Sequence, residues 1–511
     1  MSGTRRYYIT TAIDYANGSP HMGHAFEKIG ADAMARYRRL RGDDVHFVMG
    51  MDEHGLKVLQ SAEAADITPQ QWVDGVAMEF EAMWSRLLIS HDDFIRTTEA
   101  RHERSAIALV ERIQQAGDFH RDRYEGWYCV GCEAFKREDE LIVDEQGTRR
   151  CVLHPNRTAE WSEENNWFFE LSKYQDRLLE FYRTNPDFIQ PEPRRNEILR
   201  LVEGGLEDIS VSRSVAWGIP WPGDASQTIW VWIEALINYV SATGFPEPGY
   251  ERTWPAACHV IGKDITRFHC VIWPAMLMSA GLEPPGSVWA HGFFNFEGRK
   301  LSKSEGVRVE LGAAIDRFGP DAFRYYLLRD VPWNDDGEFT WDRFVARYNA
   351  DLADDLGNLA NRAISMIERY RGGTVPRGGR TWLDDEIASA VGRYRSAMDA
   401  NLLHQGAAAA MELAVKANGF VEARAPWKQA KDPARGEELD ATLASLARAL
   451  AALASLLHPF MPGKMKDLAE RLGLNAPVGL ADLASLDLAN REVHRGTVLF
   501  PKEEPAAGPP A

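Results

Sequence analysis

The period of the apolar positions changes along this chain and divides it into parts. Residues 6–13 carry the run Tyr7-Tyr8-Ile9-Thr10-Thr11, aromatic and β-branched, which predicts a strand. Asn17-Gly18-Ser19-Pro20 is a turn signal. From Met22 to about Arg41, the spacing of Met22, Phe26, Ile29, Ala33 and Tyr37 traces one helix face, and Val45-His46-Phe47-Val48-Met49 reads as a second buried strand. Strand, crossover helix and strand form a βαβ unit that opens a parallel sheet. Residues 228–232 and 257–261 are apolar on both faces, as buried parallel strands are, and predict that the sheet resumes there.

The stretch between these groups, from about 115 to 225, is richer in charge and turns and predicts an inserted domain. Beyond about 345 the strand signals fade. Tyr348 to Tyr370 and Leu439 to Leu457 have helical spacing, with loops at Gly372-Gly373 and at Pro376 to Gly379, so this half predicts a helix bundle. The Pro/Ala-rich end, 502–511, predicts a disordered tail. The expected class is α/β. A Rossmann-like parallel sheet in two halves (1–114 and 226–295) is split by a connective insert (115–225). A loop and linker (296–345), a helical domain (346–495) and a tail (496–511) follow.

A chain of 511 residues is too long for one core, which agrees with several modules. No run approaches the roughly 18 apolar residues of a membrane span, and the start MSGTRRYYITTAI lacks the apolar region of a signal peptide. The expectation is a cytoplasmic protein with no membrane partner. A formal charge of −17 excludes a uniformly basic surface. It leaves room for nucleic acid, which needs only local basic patches. Arg36, Arg38, Arg39 and Arg41, and Arg194, Arg195 and Arg200, are such patches or solvated helix faces. Five cysteines do not make a disulfide scaffold at this length. Cys258 and Cys270 read as small buried hydrophobes.

Two short segments carry chemistry. His21 and His24 stand three apart at a helix start, where both rings reach one ligand and free N–H groups favour phosphate. Gly23 between them leaves room for a flat ring. Two histidines at a helix start also occur without function. Lys300-Leu301-Ser302-Lys303-Ser304 is a polar loop whose lysines suit a pyrophosphate leaving group, or a plain exposed basic loop. It lacks the glycine spacing of a P-loop. Cys129-Val130-Gly131-Cys132 and Cys151-Val152-Leu153-His154 form two knuckles with the spacing of a closed, four-ligand zinc site. A redox CxxC would not need the second knuckle. Four protein ligands leave no open position, so one structural zinc is expected, holding together an insert with little core of its own.

In this order, the HxGH turn, the KLSKS loop and the helical end resemble the class I aminoacyl-tRNA synthetases. Tyr15-Ala16-Asn17-Gly18, Asp52-Glu53-His54-Gly55, Val231-Trp232-Ile233-Glu234-Ala235, Ile261-Gly262-Lys263-Asp264-Ile265 and Ala425-Pro426-Trp427 resemble the bacterial methionyl-tRNA synthetases over nearly the whole length. The resemblance implies ATP-dependent activation of methionine to methionyl-adenylate. Transfer to the terminal adenosine of tRNA(Met) follows, for initiation and elongation, with magnesium accompanying ATP. It implies that His21 and His24 contact the ATP phosphates, Gly23 lies under adenine, Asp264 holds the ribose, and Lys300 and Lys303 compensate pyrophosphate. Ala12, Ile13, Tyr15, Trp232, Ala235, Leu236, Tyr239, Ile265 and His269 would form the methionine pocket, with Asp52 at the ammonium and Arg213 as its ionic neighbour. Without the resemblance, Trp232 and Tyr239 read as core packing.

Asn358, Arg362 and Trp427 match the positions that read the anticodon; stacking and base-edge contacts suit single-stranded RNA. Trp427 also reads as a helix-start anchor. Asp14 and Glu234 depart from the family, which more often has an uncharged residue and Asp there, so affinity or discrimination is expected to differ. The absence of an appended RNA-binding domain implies a monomer. The rivals are a class I enzyme for another small apolar amino acid and a non-catalytic tRNA-binding paralogue. No large editing insert is visible, and His21, His24 and Lys303 are intact.

Overall fold

The computed structural model describes residues 6–131, 134–136, 138–144, 147–296, 299–300 and 311–503. The chain begins with β1 (Tyr7–Thr11) and runs through β2 (Asp14–Tyr15) and the helix α1 (Met22–Leu40) to β3 (Val45–Asp52) and β4 (Asp93–Arg96). The sheet order is Ile189–Gln190, Val288–His291, Cys258–Gly262, β1 and β3, with β2 and β4 both pairing with β3. All of these pairings are parallel. Alternation along the strands explains their unbroken apolar runs. Ile9, Phe47, Met49 and Val260 face one core, and Tyr8, Val48 and Ile261 face the other. Helix α1 buries Phe26, Ile29, Met34 and Tyr37 against the first core, about 1.5–3 kcal/mol for each large side chain.

The run 228–232 is not a parallel strand of this sheet. Asp224–Ile229 is antiparallel to Ser212–Arg213 in a separate small sheet, and Val231–Ser241 is a helix. Both the helix and the strand end are buried, so the run is largely apolar and its period is hidden. The inserted part is built on a long antiparallel ribbon, Phe119–Cys129 with Glu160–Phe169. The chain re-enters the main sheet at Ile189–Gln190, beside Val288–Trp289, before the composition boundary at 225.

The helical half includes Asn358–Arg371, Trp382–Asp399, Leu403–Arg424 and Gly436–Leu457. Among the described residues one helix, Pro433–Leu457, is long and apolar enough to cross a bilayer. In this fold 83% of its apolar window is buried inside the protein. The end of the chain is packed further than its composition suggested. Leu499 and Phe500 are buried, and Tyr348 donates a hydrogen bond to the Pro501 carbonyl at 2.8 Å. Residues 504–511 of the expected tail lie outside the described residues.

The two halves meet at Arg324, on the helix Pro320–Asp330, which is fully buried. It donates to Asp32 on α1 at 2.6 Å, and to the carbonyls of Leu87, Pro459 and Phe460 at 3.0, 2.9 and 3.2 Å.

Candidate active site and metal centre

The site begins where β1 hands over to α1. His21 caps the helix, its Nδ1 accepting from the Gly23 and His24 amides at 3.1 and 3.4 Å, and His24 Nδ1 accepts from the His21 amide at 3.3 Å. A ring that accepts at Nδ1 and is neutral carries its proton on Nε2, so both imidazoles are set as Nε2 donors. The rings stack with centroids 3.6 Å apart. A Cβ on Gly23 would lie 3.1 Å from His21 Cε1, so any side chain there would press on the capping ring. The first turn of α1 has no acidic residue, which leaves its N-terminal partial charge for an anion.

These histidines open onto a cavity of about 420 Å³, a size typical of small-molecule sites. The fold brings the expected residues Ala12, Ile13, Tyr15, Gly23, Asp52, Trp232, Ala235, Leu236, Tyr239, Asp264, Ile265 and His269 to its wall with them. Several residues on the wall were not anticipated from sequence, among them Phe268, Glu27, His291, Gly292 and Phe293. Phe268 stacks on Trp232 at 4.8 Å, and Glu27 and His291 face each other at 3.2 Å. Phe268 carried a usable signal, an aromatic four residues beyond Asp264; Glu27 and His291 carried none. The Asp264 carboxylate sits over Gly262, where a Cβ would approach Oδ1 to 2.7 Å.

Burial holds His269 at about pKa 4, so the ring is neutral. Its Nδ1 donates to the Ile265 carbonyl at 3.0 Å, and its Nε2 accepts from the Tyr239 hydroxyl at 2.6 Å. Tyr8 in turn donates to the Tyr239 backbone carbonyl at 2.7 Å.

Arg213 is absent from this wall. It lines a small neighbouring recess with His54 and Trp217, donates to the Ser212 carbonyl at 2.6 Å and lies 4.4 Å over the Trp230 ring. Glu234 also faces away from the cavity. It meets His54 at 2.6 Å and His102 at 3.7 Å, all three buried. Burial alone would raise its carboxyl, but His54 and His102 outweigh that and hold it at about 2. Its effect on the pocket is therefore through the helix Val231–Ser241 that it anchors. Asp14 does line the cavity.

Lys300 lies on the short strand Arg299–Lys300, whose partner Phe294–Phe296 directly follows the cavity residue Phe293. Lys303 is outside the described residues. In the insert, Cys129, Cys151 and His154 bring ligand atoms within 4.8 Å of one another, with Cys129 Sγ 3.8 Å from His154 Nδ1. Zn–S and Zn–N bonds at a tetrahedral angle put sulfur and nitrogen about 3.5 Å apart, so the cluster fits that ion. Gly131 is required here, because a Cβ would meet the His154 ring at 2.6 Å. Cys132 is outside the described residues.

Asn358 is exposed on the helix Asn358–Arg371, and Arg362 on the same helix pairs with Glu422. Trp427 is half-buried against the core, just past a reversal at Ala425 (φ 45°) that lets Pro426 start a new helix turn. Most of the arginine patches are committed within the protein. Arg36 pairs with Asp32, Arg39 with Asp92, Arg41 with Asp399 and Arg194 with Glu197.

A family profile described as "tRNA synthetases class I (M)" matches residues 7–364. A methionine–tRNA ligase of Mesorhizobium japonicum is 45% identical over 480 residues, covering 92% of each chain. One from Streptomyces coelicolor is 40% identical, covering 99% of this chain and 98% of the relative. The solved Mycobacterium tuberculosis methionyl-tRNA synthetase in complex with methionyl-adenylate superposes with a TM-score of 0.93 at 40% identity. That match covers 97% of this chain and all of the other.

Proposed function

Because the chain belongs to the methionine–tRNA ligases among the class I tRNA synthetases, we propose that its cavity carries out both half-reactions of methionine attachment. The observation that carries this reading is one cavity that holds His21, His24 and Asp264 together with Asp52, Trp232 and Tyr239. The methionine carboxylate attacks the α-phosphorus of ATP, forming the acyl-phosphate bond as the bond to pyrophosphate breaks. His21 and His24 donate from Nε2 to the phosphate oxygens on which charge builds, with the α1 N-terminus behind them. Lys300 and Lys303 meet the pyrophosphate, and magnesium enters on the ATP phosphates. Asp264 accepts from the ribose and Asp52 from the α-ammonium, while Trp232, Ala235, Leu236 and Tyr239 surround the thioether. A hydroxyl of the terminal adenosine of tRNA(Met) then attacks the carbonyl and AMP leaves. No covalent enzyme intermediate is needed; catalysis is positioning and electrostatics.

The same reading assigns Asn358, Arg362 and Trp427 to the anticodon and places the enzyme in the cytoplasm as a monomer. Amino-acid-dependent ATP–pyrophosphate exchange, run with all twenty amino acids, tests it. Exchange with methionine alone is expected. Exchange with a different amino acid would overturn the pocket assignment, and none at all would favour a non-catalytic tRNA-binding protein.

Zinc, held by Cys129, Cys132, Cys151 and His154, would serve the insert structurally. Metal binding contributes about 10 kcal/mol or more in small zinc-held modules. Cys151→Ser is therefore expected to drop bound zinc from one per chain to near zero by elemental analysis. It should also open the ribbon Phe119–Cys129/Glu160–Phe169 to hydrogen exchange. Full zinc content in that variant would sink the assignment.

A further inference from the structure

Lys28, in the second turn of α1, has a side chain only 1% exposed. Its ammonium donates to the Ala12 carbonyl at 2.9 Å, to Asp14 Oδ1 at 2.7 Å and to Glu27 Oε1 at 2.7 Å. An ammonium has three N–H groups, so every donor is used. Glu27 Oε2 is taken up by His291 Nε2 at 3.2 Å. The remaining oxygen, Asp14 Oδ2, is buried and has no hydrogen-bond partner among the described residues, although Asp14 lines the cavity.

Asp14 shares the Lys28 ammonium with Glu27, while His291, whose Nδ1 also meets the Gly292 carbonyl at 2.7 Å, contacts Glu27 and not Asp14. The Asp14 carboxylate is left with one oxygen without a donor in a site shielded from water, which is costly unless a further donor joins it. Burial pushes the Asp14 carboxyl up to about 7, with Lys28 opposing and Glu27 adding to the rise. The β2–β3 pairing sets Asp14 opposite Met51 and Tyr15 opposite Asp52, so Asp14 and Asp52 stand at neighbouring strand ends on one cavity. Among the substrates of the reaction, the group that is both cationic and a donor is the α-ammonium of the amino acid. A ribose hydroxyl is a donor but would leave the charge uncompensated.

We propose that Asp14 is a second carboxylate for the α-ammonium of methionine, beside Asp52, and that Lys28 is the positioning residue that aims it. The proposal rests on the activity assigned above and adds a substrate contact to it. Asp14→Asn keeps the side-chain shape and removes the charge. It is expected to raise the KM for methionine in pyrophosphate exchange by about tenfold or more, as loss of a charged hydrogen bond does. The KM for ATP and kcat should stay within about twofold, and Tm should not fall. Lys28→Met should raise the same KM and lower Tm. In the double variant Asp14→Asn/Lys28→Met, Tm should recover while the methionine KM stays high. Inhibition by 4-(methylthio)butanoate, which lacks the ammonium, should be equal for wild type and Asp14→Asn.

An unchanged methionine KM in Asp14→Asn would overturn the proposal. So would a rise confined to ATP, a double variant with normal kinetics, or weaker inhibition of the variant by the deaminated analogue. Wild-type protein without methionine-dependent exchange would instead sink the activity itself, so the two failures are distinguishable.

Discussion

Removing the outward donor of either motif histidine should slow methionine-dependent pyrophosphate exchange by about 10²–10³-fold, the usual effect of losing one preorganised donor to transition-state charge. The two residues are best tested with different substitutions, because His21 has two tasks. Its Nδ1 caps α1 through the Gly23 and His24 amides. Alanine there would also cost about 1 kcal/mol of helix stability. His21→Asn keeps an N-cap acceptor and removes the Nε2 donor, so it isolates the chemical loss. His24→Ala removes the second donor and the acceptor for the His21 amide. Both variants should retain the methionine KM within about twofold, because the donors act on charge that develops only as pyrophosphate leaves. A loss of less than tenfold in both would remove these histidines from the catalytic role.

Arg324→Met is expected to cost about 3–5 kcal/mol, the range for breaking a buried ion pair from one side. The reason is what stays behind: Asp32, fully buried, and the carbonyls of Leu87, Pro459 and Phe460 without this donor. Burial alone would raise the Asp32 carboxyl, but Arg36 and Arg324 outweigh it and hold it well below the usual carboxylate range. Its folded value is depressed, so its contribution is present above the ordinary value of 3.8 and is lost as pH falls toward the folded value. The gap between wild type and Arg324→Met in chemical denaturation should therefore be widest near pH 7 and shrink on acidification. A gap independent of pH would mean that the cost is packing and not charge. Arg324 joins α1, which carries the motif histidines, to the chain just past the helix Gly436–Leu457, so the same variant should also loosen the seat of the helical half.

Much of this architecture was legible in the sequence because it depends on near neighbours. The spacing of Met22, Phe26, Ile29, Ala33 and Tyr37 is enough to form α1, and the run through Val48 is enough for β3. The two cysteine knuckles are likewise set by intervals of a few residues. Motif order and resemblance pointed to much of the cavity wall, since those positions follow directly on strand ends and one helix, but not to Glu27, Phe268, His291 or Phe293.

What failed to read depends on which face packs and on partners far away in the chain. The run 228–232 is largely apolar, so its composition is the same for one buried parallel strand and for the strand end and helix start it proved to be. Glu234 lies between pocket residues in sequence but turns to His54, 180 positions away. Asp32 and Arg324 find each other across 292 positions. Local pattern shows how a segment can fold and which chemistry it carries. Only the assembled fold shows which charged groups lose water together, and that desolvation makes Lys28, Asp14, Glu234 and Arg324 matter.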